Sequence, residues 1–321
     1  MGGVGKQTRA DEFPLHKVRV NGFWMDETEI TNAQFQKFVT ATHYVTTAEK
    51  KPEWKELKKQ LPPGTPEPPA SSLAPGSLVF KSTEGPVPLN NYGQWWKWVP
   101  GASWKHPLGP GSDIKKQENY PVVHVSYYDA LAYCQWAGKR LPTEAEFEFA
   151  SRNGLSGQPY AWGSEPPKAE DGRINFWQGG FPYEKKPLDG YLLSAPVKSY
   201  PPNSYGLYEI IGNVWEWCSD WYRFDYYKSL ATKGGVTKNG ITSNSPITVN
   251  PQGPKDSLDP DEPYMPKRVV RGGSFLCNDS YCASFRPSAR MKEAPDTGMV
   301  HLGFRTVMTD ADWRKQKQAQ K

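Results

Sequence analysis

Proline and glycine punctuate this chain so densely, with 31 Pro and 29 Gly in 321 residues, that neither a helical bundle nor a large regular sheet fits it. Proline removes a backbone donor and fixes φ, and glycine marks tight turns, so the sequence predicts short elements joined by long ordered loops. Such a chain still needs a core. Here 37% of residues are apolar and 13 are tryptophan, enough for one substantial domain and too many for a disordered polymer. No repeat of about 20 to 50 residues recurs, which argues against solenoids and propellers.

Charge removes further classes. The 39 basic and 34 acidic residues are interspersed and leave a formal charge of +5, so no basic stripe marks a nucleic-acid partner. The one basic run, Arg314, Lys315, Lys317 and Lys321, reads as a solvated tail over 313–321 that follows a domain spanning 1–312. No run of about 18 apolar residues is present to cross a membrane. Met1-Gly2-Gly3 leads into charged residues without an apolar export segment, so location is not legible directly. Four cysteines, Cys134, Cys218, Cys277 and Cys282, are too few for a disulfide scaffold and too scattered for a four-cysteine zinc site.

Local patterns give the elements. His16 to Val20 alternates polar and apolar residues as a strand does, and Gly22 to Met25 follows it. Thr31 with Gln34 and Thr143 with Glu146 are capping boxes, the first leading into Phe35 and Phe38 and the second into Phe147, Phe149 and Ala150. Ser126 caps a helix that Gly138 stops, after a short apolar strand over Val122–Val125. Strands are also expected at Val269–Arg271 and from Gly303 to Val307. The proline-crowded stretch from Leu61 to Ser72 reads as part of an extended insertion over 61–90, and the tryptophans from Trp95 to Trp104 as loop packing around an irregular aromatic surface. The fold class is α+β: a single loop-rich domain with little regular structure.

Two features carry chemistry. Cys277 and Cys282 stand five positions apart beyond Gly272-Gly273-Ser274. Two sulfurs on a bend are too few for zinc, which takes four ligands, and suit soft, low-coordinate Cu(I). A plain disulfide or two buried thiols explains the same spacing, and spacing alone favours that simpler account. Oxygen-rich loops at Asn175-Phe176, Asp189-Gly190-Tyr191 and Glu209 to Glu216 carry what hard Ca²⁺ needs, although scattered loop acids are usually just solvated. Gly-x-Ser-x-Gly and helically spaced histidine pairs are absent, and the five histidines stand apart from one another.

Longer phrases add a resemblance. Trp136-Ala137-Gly138-Lys139-Arg140-Leu141-Pro142-Thr143-Glu144-Ala145-Glu146, Gly212-Asn213-Val214-Trp215-Glu216-Trp217, Arg271-Gly272-Gly273-Ser274 and Leu302-Gly303-Phe304-Arg305 resemble the formylglycine-generating enzyme (sulfatase-modifying factor) family, over nearly the whole chain and in its bacterial, copper-dependent form. The resemblance implies a C-type-lectin-like fold. It also implies an oxidase that uses O2 to turn the cysteine of a Cys-x-Pro-x-Arg motif, in an unfolded sulfatase polypeptide, into Cα-formylglycine. Cys277 and Cys282 would hold Cu(I), the substrate thiol would join them, and Trp215, Ser274 and Tyr281 would line the oxygen pocket. Structural calcium, in two sites, would be held by Asn175, Phe176, Asp189 and Tyr191 and by Glu209, Gly212, Val214 and Glu216. Trp104, Arg286 and Arg290 would contact substrate.

Departures qualify this. Asn278 stands where some members have histidine, and Ser151, Pro287 and Thr306 replace cysteines of the animal enzymes, leaving Cys134 without its usual partner. Met1-Gly2 resembles the end of the family's first strand motif, so the resemblance implies upstream residues and, with them, a periplasmic or secreted location rather than a cytoplasmic one. A monomer is expected. Because the fold also serves non-enzymatic lectin-like binding domains, such a scaffold is the alternative. An iron-dependent sulfoxide synthase is disfavoured, since no His-x3-His-x-Glu set is present.

Overall fold

Thr31, Ser126 and Thr143 each start a helix through the reciprocal bonding that their neighbours encode. In the computed structural model, which describes residues 1–231, 236–237, 240–241 and 247–319, these helices are Asn32–Thr42, Tyr127–Ala137 and Glu144–Ser151. Gln34 N donates to Thr31 Oγ1 at 3.3 Å while Thr31 N donates to Gln34 Oε1 at 2.8 Å, and the same exchange joins Ser126 to Asp129 and Thr143 to Glu146. Gly138 ends the middle helix in the left-handed region. Phe35, Phe38, Tyr133 and Phe147 go into the core. Phe149, expected beside them, lies two positions from Phe147, so it points away and stacks on Tyr205 near the surface.

Among the described residues the largest sheet has four strands, in the order Met291–Glu293, Arg268–Arg271, Trp215–Trp221 and Leu302–Gly303. The first three are antiparallel, and the last runs parallel to Trp215–Trp221 with Leu302 opposite Trp215. Separate two-stranded pairs join Lys17–Arg19 to Ile247–Val249, Phe23–Met25 to Val307–Thr309, and Gly76–Phe80 to Trp96–Pro100. Mixed short helices and strands within long loops make this the α+β, loop-rich domain that the proline and glycine content demands.

Four expectations need correction. The strand from Gly303 to Val307 is two strands, broken where Phe304 enters the core and Arg305 turns to Glu216. Val122–Val125 forms no strand; its amides bond singly, Val122 N to Ile30 O and His124 N to Met299 O. Residues 61–90 are not irregular throughout, since Gly76–Phe80 pairs with Trp96–Pro100 and buries Val79 and Phe80. The basic tail is largely a helix, Asp310–Ala319: Trp313 stacks on Trp24 at 4.4 Å and Gln316 Nε2 donates to Ala137 O and Gly138 O, while Arg314 and Lys315 stay exposed. Lys321 lies outside the described residues.

Beneath the sheet, buried arginines are matched by carboxylates. Arg271 Nη2 lies 2.7 Å from Glu148 Oε2 and its Nη1 3.1 Å from Glu144 Oε1; Arg290 Nε lies 2.7 Å from Glu144 Oε1; Arg286 makes two 2.7 Å bonds to Glu12. Buried charges are tolerable only when paired in this way.

Candidate active site

Strand Arg268–Arg271 delivers the chain to Gly272-Gly273, and the pair is there for space. Gly273 has φ +80°, and a Cβ on it would sit 2.8 Å from Ser284 O. The backbone beyond the thiols therefore folds back against it. Ser274 then organises the first thiol: Cys277 N donates to Ser274 O at 2.9 Å, Leu276 N to Ser274 Oγ at 3.2 Å, and Ser274 N to Cys277 Sγ at 3.4 Å.

The four residues between the cysteines are bent by Asn278. Its Oδ1 accepts from Ser280 N at 3.0 Å and Tyr281 N at 2.8 Å, and its backbone carbonyl accepts from Cys282 N at 3.0 Å. This turn brings Cys277 Sγ and Cys282 Sγ to 3.0 Å, a hydrogen-bonded pair of free thiols rather than a disulfide. Cys277 is sealed, at 1% exposure, whereas Cys282 keeps 8% and the adjoining Tyr281 40%, so the pair approaches the surface from the Cys282 side.

The thiols titrate as a unit. The hydrogen bond from Cys277 draws the Cys282 pKa down to about 6 against the effect of burial, helped by the charge of Arg9 and the Ser284 hydroxyl. Burial, then the bond and charge of Cys282, push Cys277 well up. One shared proton between two sulfurs accounts for both directions. Among the described residues no third His, Cys, Asp or Glu joins them in a metal-binding group. A sulfur-only pair fits a soft, low-coordinate ion and does not fit zinc.

The aromatic surroundings divide in two. Trp215 is buried in the same core cluster as both cysteines. Tyr281 instead stacks on Phe181 at 4.8 Å and meets Trp95 edge-on at 5.4 Å, at the margin of a smaller cluster with Trp177, Phe275 and Leu276. Ser274 and Trp215 are buried, whereas Tyr281 is 40% exposed.

The sulfatase-modifying factor enzyme 1-like domain matches residues 1–310. This chain belongs to that family. Formylglycine-generating enzyme of Streptomyces coelicolor is 44% identical over 302 residues, which cover 94% of this chain and 82% of that protein. A Bos taurus member of the same family, named inactive C-alpha-formylglycine-generating enzyme 2, is 36% identical over 308 residues, 95% of this chain and 83% of that protein. Membership of the sulfatase-modifying factor family thus leaves activity to be argued from the site. PvdO from Pseudomonas aeruginosa, at 21% identity and a TM-score of 0.53 over 96% of this chain and 89% of that one, supports the fold alone.

In this family member the three residues assigned to substrate contact are placed elsewhere. Trp104 is fully buried, edge-on to Phe35 in the main core. Arg286 and Arg290 are 1% exposed and spend their guanidinium groups on Glu12 and Glu144. All three side chains are engaged inside the fold in this structure.

The oxygen-rich loops keep unmatched acceptors. Asn175 Oδ1 is buried without a partner, and Gln178 Nε2 draws Phe176 O and Asp189 Oδ2 together at 2.9 and 2.7 Å, while Tyr191 N donates to Asp189 Oδ1. Nearby, Gly212 has φ +89° and room for no Cβ, which would meet Asn175 O at 2.6 Å. Glu209 accepts from the amides of Lys198 and Tyr200; Glu216 gives Oε2 to Arg305 and leaves Oε1 buried and unpaired. Burial raises the pKa of Glu29, Glu209 and Glu216, with Arg305 opposing it. Such a donor set fits a hard cation, although among the described residues the carboxylates do not gather into one compact group.

Sequence reading missed Arg9, Ser284 and the turn-forming role of Asn278. Arg9 Nη2 donates to Ser284 Oγ at 2.8 Å, and Cys282 Sγ lies 3.3 Å from that hydroxyl. The Asn278 turn was readable from Asn278-Asp279-Ser280; nothing local could have paired Arg9 with a residue near the other end of the chain.

Proposed function

We propose that this chain is a formylglycine-generating oxidase that uses O2 to convert a cysteine of an unfolded sulfatase polypeptide to the aldehyde, with Cu(I) held by Cys277 and Cys282. The observation that carries the reading is the convergence of two free thiols at 3.0 Å beside the half-exposed Tyr281. Two sulfurs and no harder ligand suit a soft ion, and the Cys282 side gives a substrate thiol its approach. Copper, when bound, supplies the redox chemistry; the chain supplies ligand geometry and shelter.

Each residue has a share in that. Asn278 and Ser274 fix the backbone so that the two sulfurs face one another. Trp215 and Ser274 close the inner side against water, and Tyr281 borders the entrance. The calcium sets, Asn175, Phe176, Asp189 and Tyr191, and Glu209, Gly212, Val214 and Glu216, would pin loops that apolar burial leaves loose, and so support stability more than turnover.

A peptide containing Cys-x-Pro-x-Arg, incubated with copper-loaded protein and oxygen, should gain a carbonyl and lose its sulfur by mass spectrometry. An unchanged peptide under saturating copper would favour the lectin-like binding reading.

A further inference from the structure

We infer that Arg9 is a positioning residue that supplies the fixed counter-charge of the thiol pair, favouring the anionic complex that two thiolates form with one monovalent ion. The inference rests on Cys277 and Cys282 being the copper ligands. It concerns a residue far from them in sequence, in the segment that leads into the turn Ala10–Glu12.

Three observations carry it. First, Arg9 reaches the site by three contacts: Nη2 donates to Ser284 Oγ at 2.8 Å, and Nη1 to Arg290 O at 3.1 Å and to Met291 Sδ at 3.7 Å. Second, Ser284 Oγ lies 3.3 Å from Cys282 Sγ, so the hydroxyl that accepts from Arg9 can turn its own proton to a thiolate. Third, the charges around it are already allotted. Glu12 is taken by Arg286 through two 2.7 Å bonds, Glu144 by Arg290 and Arg271, and Asp11 Oδ2 accepts from Tyr222 Oη. Among the described residues no carboxylate pairs with the Arg9 guanidinium, which is half-buried.

A half-buried guanidinium without a carboxylate is costly unless another anion faces it. The sulfurs are that anion. Two thiolates around one monovalent cation leave a net charge of −1, and a cation fixed one hydroxyl away lowers the energy of that complex while doing little for two neutral thiols. The neighbouring cations do not serve instead, because their carboxylates cancel them.

The test is Cu(I) affinity, measured without oxygen or substrate by competition with a chromophoric Cu(I) chelator, on wild type, Arg9→Met, Arg9→Lys and Ser284→Ala. Arg9→Met should weaken binding at least about tenfold, the scale of one close charge pair. Arg9→Lys, which keeps the charge and loses the two-point fork, should recover most of the loss; Ser284→Ala should weaken binding about threefold or more. Melting of the metal-free proteins separates charge from folding, and Ser284→Ala carries the test if Arg9→Met does not fold. Arg9→Met binding like wild type, or Arg9→Lys as impaired as Arg9→Met, would overturn the inference alone. Wild type that takes up no Cu(I) would overturn the functional reading and this inference with it.

Discussion

Arg271, Arg286 and Arg290 lie along the same stretch of chain as Cys277 and Cys282, yet the two regions handle buried charge in opposite ways. Each of the three arginines is closed by a carboxylate and by at least one backbone carbonyl. The thiol corner is left open: two free thiols face one another at 3.0 Å, and among the described residues no carboxylate pairs with the nearby Arg9 guanidinium. A region whose every charge is matched within the chain can only hold shape. One with donors to spare can hold something else.

The sharpest way to break this contrast is to exchange one atom in the open corner. Cys277→Ser or Cys282→Ser should reduce peptide conversion by about 10³-fold or more, as expected when one member of a catalytic unit is removed, with the melting temperature nearly unchanged. A variant that melts early but still converts would reverse the assignment of the two regions.

In the closed region the effect should fall on stability. Arg290→Met or Arg271→Met leaves Glu144 with one arginine where it had two and should cost about 1.5–3 kcal/mol in urea unfolding, the scale of a lost charge-assisted hydrogen bond. A loss below about 1 kcal/mol would mean the lattice is slack.

Asp220 is the exception inside that lattice and sharpens the comparison. It accepts from Glu144 N, and burial, then the charge of Glu144, raises its pKa to about 7. Since the folded value exceeds an unfolded one near 3.9, its stabilising contribution is complete below about pH 4 and declines as pH rises towards 7. Asp220→Asn should therefore remove a pH dependence of the order of a few kcal/mol over that window. Identical pH profiles for the two proteins would refute it.

The smallest effect is local: Thr143→Ala, which uncaps the helix bearing Glu144 and Glu148, should cost about 1 kcal/mol. No change by thermal melting would show that the ion pairs hold that helix without its cap.

Local rules made much of the fold legible. The capping boxes at Thr31 and Thr143, the Gly138 stop and the strand at Val269–Arg271 all depend on neighbours within a few residues, and they appear where those neighbours put them. The break between Gly303 and Val307 did not show, because it is made by Glu216 drawing Arg305 inward from another strand. The tail misled for a similar reason. Its basic residues are solvated, but Trp313 finds Trp24 near the other end of the chain.

At the site, the cysteine pair was visible because both thiols lie in one short stretch, whereas the turn made by Asn278 was missed although consecutive residues build it. Arg286 and Arg290 were assigned to substrate on pattern alone, and only their distant partners, Glu12 and Glu144, reveal that they are closed. Arg9 is the converse: an ordinary arginine in a polar segment that acquires meaning when the fold sets it beside Ser284.

The most direct measurement is copper-edge X-ray absorption on the reduced protein loaded with Cu(I) under anaerobic conditions. One copper per chain with two sulfur neighbours, lost in Cys282→Ser, is the result this account predicts. Copper bound through nitrogen or oxygen, or taken up equally by the Cys277→Ser/Cys282→Ser protein, would contradict it.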